Sequence, residues 1–201
     1  MEPGLLALGE AALARLEAAG AVVEPLAPPF DPDEVWQAWL VWRRALVAPR
    51  VAGLLRQPGA REHIKPEALW EHEHSLSLSY MDFQKASQRR TGFYHHLLQV
   101  FEKVDVLALP VAQVWPFPVE WRWPQQIGDR NMDTYHRWME CTIYATLAGL
   151  PGISLPAGFH AQKPWPMGIQ LIGKPQGDLA LLQVAASYEA VRLDWLQRRP
   201  A

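Results

Sequence analysis

The stretch 147–159, which reads LAGLPGISLPAGF, constrains the fold more than any other part of the sequence. A helix is predicted to end at Gly149, because glycine adopts a left-handed cap without strain and Pro151 cannot continue a helix. Two short apolar runs follow, at 153–155 and 168–172. Apolar runs with few charges, bounded by glycine and proline, are typical of buried strands. The stretch therefore predicts a helix followed by two strands of a covered sheet.

Periodicity along the rest of the chain predicts further helices and strands. Helices are predicted at 5–19, 76–101, 133–148 and 178–193, with Asp133 as the cap of the third of these. Another helix is predicted to start at an Asp31 cap and to kink or end at Pro49. Further strands are predicted at 21–26 and 104–110. Such a first helix normally follows a strand in an α/β layer, so the chain is expected to open inside a larger domain. We predict an α/β fold for the single domain 1–201, a partial mixed sheet covered by helices.

Composition excludes several classes of protein. Hydrophobic residues make up 49% of the 201 residues, and the net charge of −2 gives no basis for binding nucleic acid or an anionic membrane. Cys141 is the single cysteine, so an internal disulfide is excluded and a reducing compartment is favoured. No apolar run is long enough to span a bilayer. We expect a cytoplasmic protein, and nothing in the sequence indicates a cofactor.

The run 147–175 resembles the carboxy-terminal part of the amidase signature enzymes, which hydrolyse carboxamides. The shared features are a helix ending in Leu-Ala-Gly-Leu-Pro, a strand ending in Pro-Ala-Gly, a Gly-x-Gln-Leu-Ile-Gly strand, and a last helix matched by 178–190. The resemblance implies the back portion of an amidase domain, and it extends more weakly to the start of the chain.

The resemblance also shows what is missing. The family acts through a lysine, a serine in a cis peptide and a nucleophilic serine in a Gly-Ser-rich segment of its amino-terminal half. This sequence contains neither a Gly-Ser nor a Ser-Ser dipeptide, so no catalytic residue is transferred. The chain is therefore expected to be inactive alone, as a truncated gene product or as one half of a split enzyme whose partner is a separate amino-terminal half.

Other chemistry finds weaker support in the sequence. Ser154 fails the nucleophile-elbow pattern, because Pro156 stands where glycine is needed. Cys141 is interpreted as a small buried side chain of a helix. The stretch 71–74, Glu-His-Glu-His, suggests metal binding, but a zinc-protease helix needs histidines four residues apart. A solvated polar stretch is the favoured interpretation.

An aromatic, proline-rich loop at 115–123 follows the predicted strand 104–110. Ligands of open α/β sheets bind at the carboxyl ends of strands, so this loop is a candidate wall of an apolar pocket. Trp115 and Phe117 lie nearest the strand end, and Trp138 and Cys141 can face the same space from the next helix. A rigid cover over the core, or an oligomer contact, is the alternative.

Three functions follow. The first is an amidase-related protein that supplies part of a substrate pocket, the second is a non-catalytic binding or scaffolding module with a tryptophan-rich groove, and the third is a metal-dependent hydrolase. A domain cut within its sheet exposes apolar faces, so we also predict a homodimer formed through helix 76–101 and the Trp36–Trp39 stripe.

Overall fold

The computed structural model describes residues 1–191, which divide into two units. The sheet unit combines Met1–Ala27 with the chain from Val100 onward, and the helical unit is Pro28–Gln99. Among the described residues, no helix is long and apolar enough to cross a membrane.

The sheet unit is built on three strands, β1 Val106–Pro110, β4 Gly152–Phe159 and β5 Pro166–Gly173, which lie in the order β1–β5–β4. A separate hairpin pairs β2 Gln126–Ile127 with β3 Arg130–Asn131. Both pairs of the three-stranded sheet are antiparallel, so the sheet is not mixed as predicted, although the α/β class is confirmed. Proline is tolerated inside β4 because the register shifts between Pro156 and Gly158.

Two helices cover one face of this sheet, α1 Leu5–Ala18 and α7 Asp178–Ala190. Alternate strand residues point towards them, including Ile169 and Leu171 of β5. The shared core consists of Ala12, Leu16, Leu155, Ala157, Ile169, Leu171, Leu181, Ala185 and Tyr188. The predicted extension of the last helix to residues 192–193 lies outside the described residues.

The helix before β4 ends where the sequence predicts. Gly149 has φ 72° and ψ 39°, and its N–H donates to the Ala145 carbonyl at 2.9 Å. The helix itself is shorter than predicted: α6 is Ile143–Ala148, and a 3₁₀ helix occupies Arg137–Thr142. Asp133 caps no helix, because both of its carboxylate oxygens accept hydrogen bonds from the Arg137 side chain.

The strand predicted at 21–26 is absent. This segment is irregular and exposed, with Val22 86% exposed. No described strand pairs with this segment, and a local sequence pattern does not predict whether a partner strand exists.

The helical unit contains α2 Pro32–Leu54, α3 Ala60–His63, α4 Pro66–Ser75 and most of α5 Tyr80–Phe101. Asp31 caps α2 as predicted, accepting from the Asp33 and Glu34 N–H groups at 2.9 and 3.4 Å. Pro49 does not end α2. The helix predicted from residue 76 begins at Tyr80 instead, because Ser79 and Asp82 form a reciprocal cap: each accepts from the other's backbone N–H, at 3.1 and 3.0 Å.

The helical unit buries groups that the sequence placed on a surface. Trp36 is fully buried, with its ring stacked on Trp39 at 5.1 Å between centroids. It is therefore not available for the dimer surface predicted on that stripe. Glu71 of α4 is 1% exposed and accepts from Nε of Arg43 at 2.6 Å. This pair fixes the two helices together.

Candidate functional site

The aromatic loop 115–123 has no regular structure, as its prolines predict. Phe117 meets Trp138 edge to face, with ring centroids 5.5 Å apart and planes at 83°. On its other side Phe117 stacks with Trp121 at 6.4 Å, and the Trp121 side chain is 55% exposed. Two of the predicted pocket residues, Phe117 and Trp138, are thus brought together in an array that reaches the surface.

A small apolar core supports this array. Val114, Ile127 and Met132 are buried, and Phe117, Trp123 and Trp138 pack against them. The β2–β3 hairpin contributes Ile127, so the hairpin underlies the loop. The loop is held in place by packing as well as by its prolines.

Trp115 occupies a different environment. Its indole N–H donates to the Pro3 carbonyl at 3.1 Å, and its backbone N–H donates to the Glu2 carboxylate at 2.6 Å. Its ring meets His160 edge to face at 4.8 Å. These contacts anchor the first residues of the chain.

Cys141 is buried, and burial raises the pKa of its thiol to about 12. The thiol is therefore protonated at neutral pH, whereas a cysteine that acts as a nucleophile or metal ligand is a thiolate. The Cys141 carbonyl accepts a hydrogen bond of 2.8 Å from the buried side-chain amide of Gln170, which also donates to the Pro110 carbonyl at 2.9 Å. The glutamine of the Gly-x-Gln-Leu strand thus ties β5 to the end of β1 and to the 3₁₀ helix.

A partly buried ionic cluster beside Trp138 was not anticipated from the sequence. The Arg137 guanidinium donates to Glu140 at 3.0 Å and to both oxygens of Asp133 at 2.9 and 3.0 Å, while Arg130 donates to Glu140 at 2.9 Å. Arg137 and Glu140 are both buried. The spacing of Asp133, Arg137 and Glu140, four and three residues apart, is the signal that could have revealed the cluster.

The same segment is held by its backbone. Gln113 is buried, and its side-chain amide donates to the Arg137 carbonyl at 2.8 Å. Together with the Gln170 bond, this ties both ends of the 3₁₀ helix to the sheet unit. Trp138 therefore projects from a segment whose position is fixed on several sides.

The aromatic array presents apolar side chains and few polar groups. The indole Nε1–H of Trp138 is buried and has no hydrogen-bond partner within residues 1–191. The pKa of Tyr144 is raised to about 12, chiefly by burial and further by the nearby Glu140 carboxylate. The Tyr144 hydroxyl therefore stays protonated at neutral pH. Ser154 is exposed on β4, and no hydrogen bond activates its hydroxyl among the described residues. The arrangement can hold an apolar group but presents no activated nucleophile.

The stretch 71–74 does not assemble a metal centre. Glu71 is paired with Arg43, and Glu73 accepts from Arg61 at 2.5 Å. His74 shares a hydrogen bond of 2.9 Å between its Nδ1 and the Trp70 carbonyl. Within residues 1–191, no group of three or more histidine, cysteine, aspartate or glutamate side chains is arranged to hold a metal ion.

Known proteins match between about two thirds and all of this sequence. A glutamyl-tRNA(Gln) amidotransferase subunit from Geotalea daltonii is 38% identical over 132 residues, 64% of this chain and 25% of that protein. The Chloroflexus aggregans protein of the same name is 29% identical over 226 residues, covering 100% of this chain and 43% of the relative. The matched part of the chain thus covers 25% of the length of the first relative and 43% of the length of the second.

Solved structures share the fold. A bacterial aryl acylamidase of the amidase signature family superposes with a TM-score of 0.84 at 23% identity, over 100% of this chain and 44% of that one. A 6-aminohexanoate cyclic dimer hydrolase gives a TM-score of 0.81 at 21% identity, over 100% of this chain and 43% of that one. A family model described as amidase matches residues 1–182. This chain belongs to the amidase (amidase signature) family.

Proposed function

We propose that this chain supplies part of the substrate pocket of an enzyme that hydrolyses carboxamide C–N bonds, and that it does not hydrolyse amides alone. The observation that carries the proposal is the Phe117–Trp138 pair, two rings 5.5 Å apart, one on the loop that follows β1 and the other on the 3₁₀ helix Arg137–Thr142. Apolar walls with few polar groups are typical of small-molecule pockets, and strand ends are their usual place in α/β folds. Trp115 and Cys141 remain proposed members of this pocket.

Family membership supports the reaction class. The similar proteins include an aryl acylamidase, a cyclic dimer hydrolase and an amidotransferase component. Gln113 and Gln170 hold the backbone on either side of Trp138 through hydrogen bonds to the Arg137 and Cys141 carbonyls. A side chain fixed in this way suits a pocket wall, because a substrate is oriented by groups that do not move.

The chemistry of the chain supports inactivity in isolation. Amide hydrolysis through a covalent intermediate needs a nucleophile, a base in hydrogen-bond reach and oxyanion donors. The Cys141 thiol is protonated, and Ser154 lacks a base among the described residues. We propose that the family's serine and lysine are supplied by a separate amino-terminal amidase half, in the cytoplasm that the single cysteine favours.

A non-catalytic binding module is the second candidate. The observation that favours it is the exposed rim of the loop, where Val119 and Trp121 present apolar surface. Such a module would bind a ligand in the absence of any partner chain, whereas a pocket completed by a second chain would not.

The test compares the purified chain with the chain co-expressed with an amino-terminal amidase half. The chain alone should release no ammonia or aniline from acetamide or acetanilide above a mock purification. The co-expressed pair should be active, and Trp138→Ala should raise its KM more than it lowers kcat, because the side chain binds rather than reacts. Robust turnover by the chain alone that disappears in Ser154→Ala or Cys141→Ala would refute the proposal.

A further inference from the structure

Two residues that precede α1 hold the main chain where it enters the aromatic loop. The backbone N–H of Glu2 donates to the Gln113 carbonyl at 2.9 Å, and a carboxylate oxygen of Glu2 accepts from the Trp115 backbone N–H at 2.6 Å. A third bond, of 3.1 Å, joins the Trp115 indole N–H to the Pro3 carbonyl. These bonds grip the chain on both sides of Val114.

The position of Glu2 is itself fixed by α1. Leu5, the first residue of that helix, is 2% exposed, and its N–H donates to the Glu2 carbonyl at 3.5 Å. Further along α1, Ala12 and Leu16 belong to the core shared with the sheet. Because α1 is packed on the sheet, Glu2 is held from a side that does not involve the aromatic loop.

The gripped segment is connected to both rings of the proposed pocket. Val114 is 4% exposed, and Phe117 and Trp138 pack against the small apolar core to which it belongs. Gln113 reaches the other ring through the backbone, since its side-chain amide donates to the Arg137 carbonyl at 2.8 Å. A shift of the gripped segment would therefore move the two rings relative to each other.

The side chain of Glu2 serves here as a hydrogen-bond acceptor. Trp115 is 6% exposed, and a backbone N–H removed from water needs a partner. A carboxylate accepts such a bond strongly and at short distance, which fits the 2.6 Å observed. The amide oxygen of a glutamine also accepts, whereas alanine offers no side-chain acceptor. The contact therefore requires an oxygen and not a negative charge.

We propose that Glu2 is a positioning residue of the substrate pocket. By holding the main chain at Gln113 and Trp115, it sets the separation of the Phe117 and Trp138 rings. Glu2 acts through the main chain of the loop and is assigned no contact with substrate. The effect on substrate binding rests on the function proposed above, whereas the coupling of Glu2 to the rings is a property of the chain alone.

Fluorine NMR of the chain alone tests the coupling. Replacing Phe117 by 4-fluorophenylalanine places one fluorine in the array, where its chemical shift depends on the neighbouring Trp121 and Trp138 rings. Glu2→Ala should move or broaden this resonance, while Glu2→Gln should leave it close to that of wild type because an acceptor oxygen is retained. Glu10→Ala changes an exposed glutamate of α1 and is the matched control, with no expected effect.

Kinetics of the co-expressed pair test the effect on substrate binding. Glu2→Ala should raise KM at least about threefold and change kcat by less than about twofold, because the displaced rings bind substrate and do not react. Glu2→Gln and Glu10→Ala should both keep KM near that of wild type. Circular dichroism melting establishes that each variant is folded at the assay temperature.

Two results would overturn the positioning role of Glu2. One is a fluorine resonance that Glu2→Ala leaves unmoved, or moves no more than Glu10→Ala does. The other is an unchanged KM in Glu2→Ala under conditions where Trp138→Ala raises KM. An inactive co-expressed pair with a displaced fluorine resonance would count against the proposed function, and it would still support the coupling of Glu2 to the rings.

Discussion

The side-chain amide of Gln170, at the centre of β5, donates a hydrogen bond of 2.8 Å to the backbone carbonyl of Cys141. A second bond of 2.9 Å from the same amide reaches the Pro110 carbonyl at the end of β1. One buried side chain thereby holds the segment that carries Trp138 against the sheet. This explains physically why a glutamine interrupts an otherwise apolar strand.

Replacing the Gln170 side-chain amide should lower the stability of the fold. Gln170→Leu removes the donor from both carbonyls and is expected to lower the free energy of unfolding by about 1–3 kcal/mol, because buried acceptors lose their partner. Urea titration followed by circular dichroism measures the change. Gln183→Leu, an exposed glutamine on α7, is the matched control and should stay within about 0.5 kcal/mol of wild type. Equal losses in the two variants would contradict the assigned role of Gln170.

The end of α6 gives a second prediction. Gly149 adopts φ 72°, a conformation that strongly disfavours a β-branched residue, so Gly149→Val should destabilise the chain by about 1–3 kcal/mol. Gly149→Asn should cost much less, because asparagine tolerates the left-handed region. Thermal melting compares the variants.

A control for that experiment lies in α5. At Gly92 an added Cβ would meet no described atom within 4 Å beyond the adjoining backbone of its own helix, and its φ is not positive. Gly92→Ala should therefore stabilise the chain by up to about 1 kcal/mol through helix propensity. A Gly149→Val chain that melts at the wild-type temperature would show that the left-handed cap is not required.

Much of the fold could be predicted because its signals are local. The Asp31 cap, the left-handed Gly149 and the runs that became β4 and β5 each follow from a few neighbouring residues. The segment 21–26 had the composition of a strand, but strand formation depends on a distant partner that the pattern cannot reveal. The Ser79–Asp82 cap was present in the sequence as a Ser-x-x-Asp motif, and it could have placed the start of α5.

The candidate site was predictable in part for the same reason. The loop after β1 and the helical segment after it could be recognised, and the structure brings Phe117 and Trp138 together. Nothing local indicated that Trp115 would anchor Pro3, more than a hundred residues earlier, or that Gln113 and Gln170 would fix the 3₁₀ helix. Contacts of that kind depend on the tertiary arrangement.

A pH dependence is expected at Asp133. The pKa of the Asp133 carboxyl lies below its ordinary value, chiefly because the carboxylate accepts hydrogen bonds from the Arg137 side chain. A depressed pKa in the folded state stabilises the fold above the unfolded-state pKa, and this stabilisation is lost as the pH falls through the folded-state pKa. Asp133→Asn should therefore be less stable than wild type at pH 7, by less than about 1 kcal/mol because the side chain is half exposed.

Urea titrations of wild type and Asp133→Asn at pH 7 and at about pH 3 measure this dependence, since ordinary carboxyl groups titrate between these values. The difference between the two chains should shrink at the lower pH. Asp105→Asn is a control for a more exposed carboxylate, which is paired with Lys174 at 2.9 Å. A difference for Asp133→Asn that grows as the pH falls would contradict the assigned ion pair.

The Cys141 thiol provides the last prediction. Because burial raises its pKa to about 12, almost no thiolate exists at pH 8, and the sulfur is also shielded from reagents. Iodoacetamide should therefore label the native chain far more slowly than the chain unfolded in urea, as followed by intact mass. Val191→Cys in a Cys141→Ala background places the control thiol at an exposed position on the sheet unit, and it should react rapidly in the native state. Native labelling of Cys141 as fast as that of Val191→Cys would mean that the thiol is accessible, and would contradict the burial of Cys141.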